Sequence, residues 1–213
     1  MRRSVACVLF TWIASVGAAE ALLLEHATAP GDPGSPPATL PKALRDQLGP
    51  HGTRPLLLVA AHPQCPCLPA TLAELRQVLA QAPDVDVRLL LQLPTTVPTA
   101  WRPERIAALE QQWPAACVAD RDGALAHALH LATSGHVLVY GTGGELRFSG
   151  GITAGRGHVG DNPGSRTLRR VLQGERGPAG YPAVFGCPLR ADSTGHERAC
   201  CNTGPGDRDA PRH

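Results

Sequence analysis

The stretch PLLLVAAHPQCPCLPATLAELRQVL, residues 55–79, decides the fold. Its first seven residues, 55–61, are an unbroken apolar run, the pattern of a short strand buried on both faces. From residue 69 to 81 the pattern changes to helical. Leu72, Leu75 and Leu79 fall on one face, and Glu74, Arg76 and Gln77 lie elsewhere. Between the two periodicities sits His62-Pro63-Gln64-Cys65-Pro66-Cys67. A strand therefore hands over to a helix at a cysteine pair.

Working outward, the same alternation continues. Residues 85–93 read as a second strand, and 103–112 as a helix with Pro103 suited to its first turn. Residues 115–119 read as a short strand, 123–131 as a helix, and 137–140 as a strand. Gly143-Gly144 makes a tight turn into a hairpin partner at 146–149, and 165–173 is a last helix. The order β-α-β-α-β-α-β-β-α predicts an α/β domain over residues 54–189. Its central mixed sheet is parallel at the start, closed by an antiparallel hairpin and flanked by helices.

The flanks differ in character. Arg2 and Arg3 precede an apolar run over residues 5–24 that only Glu20 interrupts. Residues 1–26 thus read as a signal peptide, with small Gly17 and Ala19 near a cleavage point, or as an uncleaved anchor. Either places the remainder on the periplasmic or extracytoplasmic side of the inner membrane, and the anchor would join it to the membrane. Residues 27–53, rich in Pro and Gly at the start, read as a linker. The polar residues 190–213 read as a disordered tail.

Composition narrows the function. Of 213 residues 43% are hydrophobic, enough for a core, but only 4% are aromatic, so Leu, Val and Ala must fill it. The formal charge is +2, Lys42 is the only lysine, and no basic stripe runs along the chain, which argues against a nucleic-acid partner. There is no phosphate-loop pattern, no nucleophile elbow around Ser134 and no paired C-x-x-C zinc spacing.

The chemistry centres on Cys65 and Cys67. A helix N-terminus offers free N–H groups and a positive dipole end, which favour thiolate, the nucleophile of disulfide exchange. His62 adds positive charge when protonated. A disulfide across one intervening residue closes a small ring that tends to be strained. Pro66 stiffens it further, so the oxidised form should be readily reduced, as fits an oxidant or isomerase. A C-x-C with a nearby histidine, His62 or His158, also suits a soft ion such as Cu(I).

The chain resembles the bacterial membrane-anchored thioredoxin-like proteins called RedB. The likeness spans residues 30–189 and rests on the 62–67 motif, Thr133-Ser134-Gly135-His136-Val137 and Phe148-Ser149-Gly150-Gly151-Ile152-Thr153. It rests also on Arg156-Gly157-His158-Val159-Gly160-Asp161-Asn162 and Phe185-Gly186-Cys187-Pro188-Leu189. More broadly the chain is similar to thiol–disulfide oxidoreductases of the thioredoxin superfamily. That implies a thioredoxin-like fold, no cofactor beyond a redox-active disulfide, and protein thiols or disulfides as substrates. Two departures stand out. The family's C-x-x-C is shortened to C-x-C. Where a cis-proline is expected before residues 137–140, Ser134-Gly135 stands, a change that leaves metal binding in play.

Other candidates follow from placement. The glycine-rich loop 150–164 should lie beside the cysteines, so that Arg156 stabilises a thiolate and His158 carries a proton or ligates. Asp161 and Asn162 read instead as caps of the last helix. Cys187 can resolve a mixed disulfide, ligate a metal or form a structural bond. Cys117 reads as an inert core residue, and Cys200-Cys201 as incidental. Three chemistries thus fit: dithiol–disulfide exchange through Cys65 and Cys67, copper handling, and a peroxiredoxin-like thiol peroxidase with Cys187 as partner.

Overall fold

The computed structural model describes residues 2–49, 53–82, 84–96, 101–177 and 180–189, and of residues 2–4 the backbone alone. The expected tail, 190–213, lies outside the described residues. Five strands form one sheet: β1 (Leu56–Ala61), β2 (Asp86–Leu93), β3 (Cys117–Arg121), β4 (Val137–Tyr140) and β5 (Leu146–Gly150). Their order is β3-β2-β1-β4-β5. β1 runs parallel to β2, and β2 to β3, while β1–β4 and β4–β5 are antiparallel. This is the expected thioredoxin-like arrangement, with six helices added: α1 (Arg2–Thr28), α2 (Lys42–Gln47), α3 (Leu68–Leu79), α4 (Pro103–Gln112), α5 (Ala124–Ala128) and α6 (Pro163–Leu172).

The unbroken apolar run of β1 has a direct cause. Successive side chains point to opposite faces, and both faces are covered. Leu57, Val59 and Ala61 meet Leu72 and Leu75 of α3 and Leu168 of α6 in one core. Leu56, Leu58 and Ala60 meet Leu44 of α2 and Leu125 of α5 in the other. Each buried leucine contributes about 2 kcal/mol.

Several boundaries differ from the sequence reading. β3 begins at Cys117 rather than 115 because Ala115 and Ala116 belong to the turn that closes α4, where Ala116 N donates to Trp113 O at 3.0 Å. α5 covers only five residues. The Asp120 carboxylate accepts from Leu125 N (2.7 Å) and Ala126 N (3.1 Å) at its start, and His130 at φ +53° ends the turn. α6 starts at Pro163, and Asn162 caps it by accepting from Ser165 N at 2.8 Å.

The segment 27–53 is not a free connector. It carries α2 and buries Leu40, Leu44 and Leu48, and Thr39 bridges Glu145. Residues 31–37 lie over the domain, with Gly31 N bonded to Val184 O and the Tyr140 hydroxyl donating to Pro37 O. α1 stands apart from both cores. Val5–Thr28 contains an 18-residue window of mean hydropathy 1.9, none of it buried, so it is long and apolar enough to cross a membrane and is a candidate anchor or signal.

His136 precedes β4 and is fully buried, its Nε2 2.8 Å from Ser149 Oγ. Burial lowers its pKa to about 4 from an ordinary 6.5, partly opposed by Asp32. The unfolded chain therefore takes up a proton below about 6.5 that the folded chain refuses until about 4. The associated stability is complete above that window and is lost as pH falls through it. Urea unfolding at pH 7 and pH 4.5 should show the wild type losing about 2 kcal/mol more than His136→Gln; equal losses would contradict the buried neutral imidazole.

Candidate functional site

The site forms where β1 ends and β4 begins. Gly135 N donates to Ala60 O at 2.7 Å and Ala60 N to His136 O at 2.9 Å, extending the β1–β4 pairing beyond the start of β4. One residue further, His62 N donates to the Ser134 hydroxyl at 3.0 Å. Ser134-Gly135 thus faces the cysteine turn, as spacing suggested. Among the described residues no peptide bond is cis. Gly135 is required on two counts: its φ is +86°, and a Cβ there would lie 2.8 Å from Thr71 Oγ1 of α3.

The turn itself is tight. Cys65 N donates to His62 O at 2.9 Å, and Leu68 N to Cys65 O at 3.3 Å. Cys67 is the residue immediately before α3, with its carbonyl accepting from Ala70 N (3.2 Å) and Thr71 N (3.4 Å). The helix therefore starts on the second cysteine, and its first amides bond the backbone carbonyls of Cys65 and Cys67. Gln64 pins the turn to the segment before α4. Its Nε2 donates to Arg102 O, its Oε1 accepts from Arg102 N, both at 3.2 Å, and Arg105 donates to its carbonyl at 2.9 Å. The His62 ring meets Trp101 edge-on, with centroids 5.4 Å apart.

A third cysteine completes the cluster. The segment 186–189 pairs with 132–134: Ser134 N donates to Cys187 O and Leu189 N to Ala132 O, both at 2.8 Å, and Thr133 bridges Pro188. This seats Cys187 N 3.4 Å from Cys65 Sγ. The Cys187 thiol lies within hydrogen-bonding reach of both Cys65 and Cys67. All three thiols are buried, and none is in a disulfide.

Their acidities diverge. Hydrogen bonds from the Cys187 thiol, then the Cys67 thiol, lower Cys65 strongly against the opposing effect of burial, and the Cys187 amide adds to them. Cys67 moves the other way. The Cys187 thiol and the Arg156 charge favour its thiolate, but donation to Cys65, burial and the Cys65 charge together prevail. The cluster is thus built to hold one negative charge, on Cys65.

The glycine-rich loop supplies Arg156, whose guanidinium donates to Gly186 O and lies near enough to Cys67 to act on its charge. His158 is exposed, its Nδ1 2.8 Å from Arg156 O, and no contact joins it to the cysteines. Asn162 caps α6 as expected, and Asp161 pairs with Arg166 on the surface. Among the described residues, no group of three or more His, Cys, Asp or Glu side chains is arranged to hold a metal ion. The set Cys65, Cys67, His62 and His158 is therefore not assembled as a metal centre here. Cys117 is half-buried on β3 and its thiol is raised, first by burial and then by Glu110.

Two features escaped the sequence. Glu74, assigned to the polar face of its helix, is buried. It accepts from Gly160 N at 2.6 Å and from Asn162 Nδ2 at 3.5 Å, so α3 clamps the loop that carries Arg156. A groove of about 340 Å³ also opens beside Cys65 between α3 and α4, floored by Leu72 and Leu109 with Arg76 and Arg105 among its lining. A glutamate at helical spacing gives no sign of a partner some eighty residues away, and a groove between helices has no linear signature.

No family model matches the chain, and no curated protein does. Solved structures do. An uncharacterised conserved protein from Geobacillus kaustophilus superposes with a TM-score of 0.55 at 13% identity, covering 78% of this chain and 94% of that one. A hypothetical protein from Sinorhizobium meliloti gives 0.48 at 18% identity, over 78% and 98%. A secreted Mycobacterium tuberculosis disulfide oxidoreductase, homologous to E. coli DsbE, gives 0.39 at 14% identity, over 58% and 83%. At these identities the likeness concerns the fold alone.

Proposed function

We propose that the chain is an extracytoplasmic thiol–disulfide oxidoreductase of the RedB type, working through the Cys65/Cys67 pair on protein thiols or disulfides. The observation that carries this reading is the placement of two buried cysteines at a strand–helix junction, with the Cys187 amide 3.4 Å from Cys65 Sγ. Hydrogen bonds from Cys187 shift Cys65 toward the thiolate, while donation to Cys65 and burial shift Cys67 toward the thiol. Exchange needs both states: an attacking thiolate, and a second thiol that ionises only after attack has removed the first charge.

The steps follow from the placement. Cys65 attacks one sulfur of a client disulfide, forming a mixed disulfide and releasing the other client sulfur as thiolate. The loss of charge on Cys65 removes the repulsion that keeps Cys67 protonated, and Arg156 then favours the Cys67 thiolate. Cys67 attacks Cys65, releasing the second client thiolate and leaving the protein oxidised. Run in reverse, the same steps oxidise a client dithiol. The groove beside Cys65 accommodates an apolar client segment. α1 serves as the signal or anchor, and the Ala27 carbonyl at its end accepts from Arg156 N at 2.8 Å, which ties it to the loop at the site.

The test uses the full chain in detergent with a soluble peptide disulfide. Cys65→Ser should slow exchange about 100-fold or more, while a copper chelator should leave the wild-type rate unchanged. Exchange that survives Cys65→Ser, or that needs added copper, would sink the reading. Ultraviolet thiolate absorbance offers a second check. One thiolate should persist down to about pH 4 and vanish in Cys65→Ser, whereas a site that titrates only above about pH 8 would contradict the assigned charge.

A further inference from the structure

Cys187 is not needed for two-cysteine exchange, yet the fold goes to some length to deliver it. The segment that carries it is fixed along its length. Gly151 N bonds Pro182 O (3.2 Å), Gly31 N bonds Val184 O (2.8 Å), Arg156 donates to Gly186 O, and the pairing with 132–134 holds residues 187–189. Gly186 is pressed against the site so closely that a Cβ would fall 1.9 Å from Ser134 O. The outcome is a buried thiol within hydrogen-bonding reach of both sulfurs of the pair, its own amide 3.4 Å from Cys65 Sγ.

We propose that Cys187 is the terminal redox partner of Cys65, so that the disulfide made between Cys65 and Cys67 passes to Cys65–Cys187, the resting oxidised form. The proposal rests on the exchange reading and deepens it. The step is an isomerisation with no net redox change. The Cys187 sulfur attacks Cys65, the Cys65–Cys187 bond forms, the Cys65–Cys67 bond breaks, and Cys67 leaves as thiolate to take the proton that Cys187 gives up. No outside oxidant enters.

The direction follows from ring size. A bond from Cys65 to Cys67 closes a small ring that contains Pro66, whose φ is locked, and such a ring has little freedom to reach a relaxed disulfide geometry. A bond from Cys65 to Cys187 joins residues 122 apart in sequence that the folded backbone already holds together. Sharing Cys65 between a strained and a relaxed partner gives the site an easily reduced form for dealing with clients and a stable form for storage.

The experiment uses the full chain in detergent with Cys7, Cys117, Cys200 and Cys201 replaced by Ser, so that only the three site thiols remain. The reduced protein is mixed with oxidised glutathione, quenched in acid over time, and mapped by mass spectrometry. Cys65–Cys67 should appear early and Cys65–Cys187 should dominate at equilibrium by about tenfold or more. Cys187→Ser should hold the protein as Cys65–Cys67 and shift its equilibrium with glutathione about tenfold toward the reduced form. Gly186→Ala, which keeps every site thiol, should cut the Cys65–Cys187 share several-fold. If the wild type holds only Cys65–Cys67 at all times and Cys187→Ser leaves the glutathione equilibrium unchanged, the proposal is overturned and the exchange reading stands. If no bond involving Cys65 forms at any ratio of glutathione, both fall.

Discussion

The pairing of Ala60 with residues 135 and 136 is the constraint on which the site depends. It lies at the join between the parallel half of the sheet and the antiparallel hairpin, and β1 is the strand common to both. Because that pairing runs beyond the start of β4, the turn after β1 and the turn before β4 leave the sheet side by side. One carries the cysteine pair, and the other presents Ser134 and Gly135 to it. A side chain at 135 would be strained by the positive φ and would crowd the Thr71 hydroxyl of α3, the helix that begins at Cys67. The chemistry is therefore set by backbone registration first and by side chains second.

That ordering accounts for what the sequence made legible. β1 and α3 could be read because their periodicities are local and the cysteines mark the point where one gives way to the other. Gly135 could be placed by counting back from β4. What could not be read depended on distant partners. The third cysteine reaches the site only through pairing between residues 132–134 and 186–189, and nothing in Val184-Phe185-Gly186-Cys187 announces that alignment. Glu74 was misplaced for a related reason. Helical spacing put it on a polar face, but that face is covered by the loop from β5 to α6, whose amide it needs. The stretch 27–53 looked like a linker because its Pro and Gly content masks three well-spaced leucines, Leu40, Leu44 and Leu48, that dock α2 on the sheet.

Burial of the cluster shapes its electrostatics. In water three thiols would titrate almost independently. Packed together away from solvent, they share one charge, and the amide and thiol of Cys187 favour placing it on Cys65. Arg156 contributes without facing solvent fully, because its guanidinium is occupied by Gly186 O and its backbone by Ala27 O. A substitution at Arg156 would thus disturb two things together, the balance between Cys65 and Cys67 and the seating of the Cys187 segment, while its backbone bond to Ala27 O would remain.

The wrapping of β5 has a separate consequence. An exposed sheet edge is a template on which other chains can add. Here the edge beside β5 is occupied at both ends by the protein's own chain: Leu146 N is bonded to Ala38 O and Gly151 N to Pro182 O. The opposite edge, β3, is only five residues long and ends at the exposed, charged Arg121. A neighbouring chain with an unpaired strand therefore finds almost nowhere on this sheet to add.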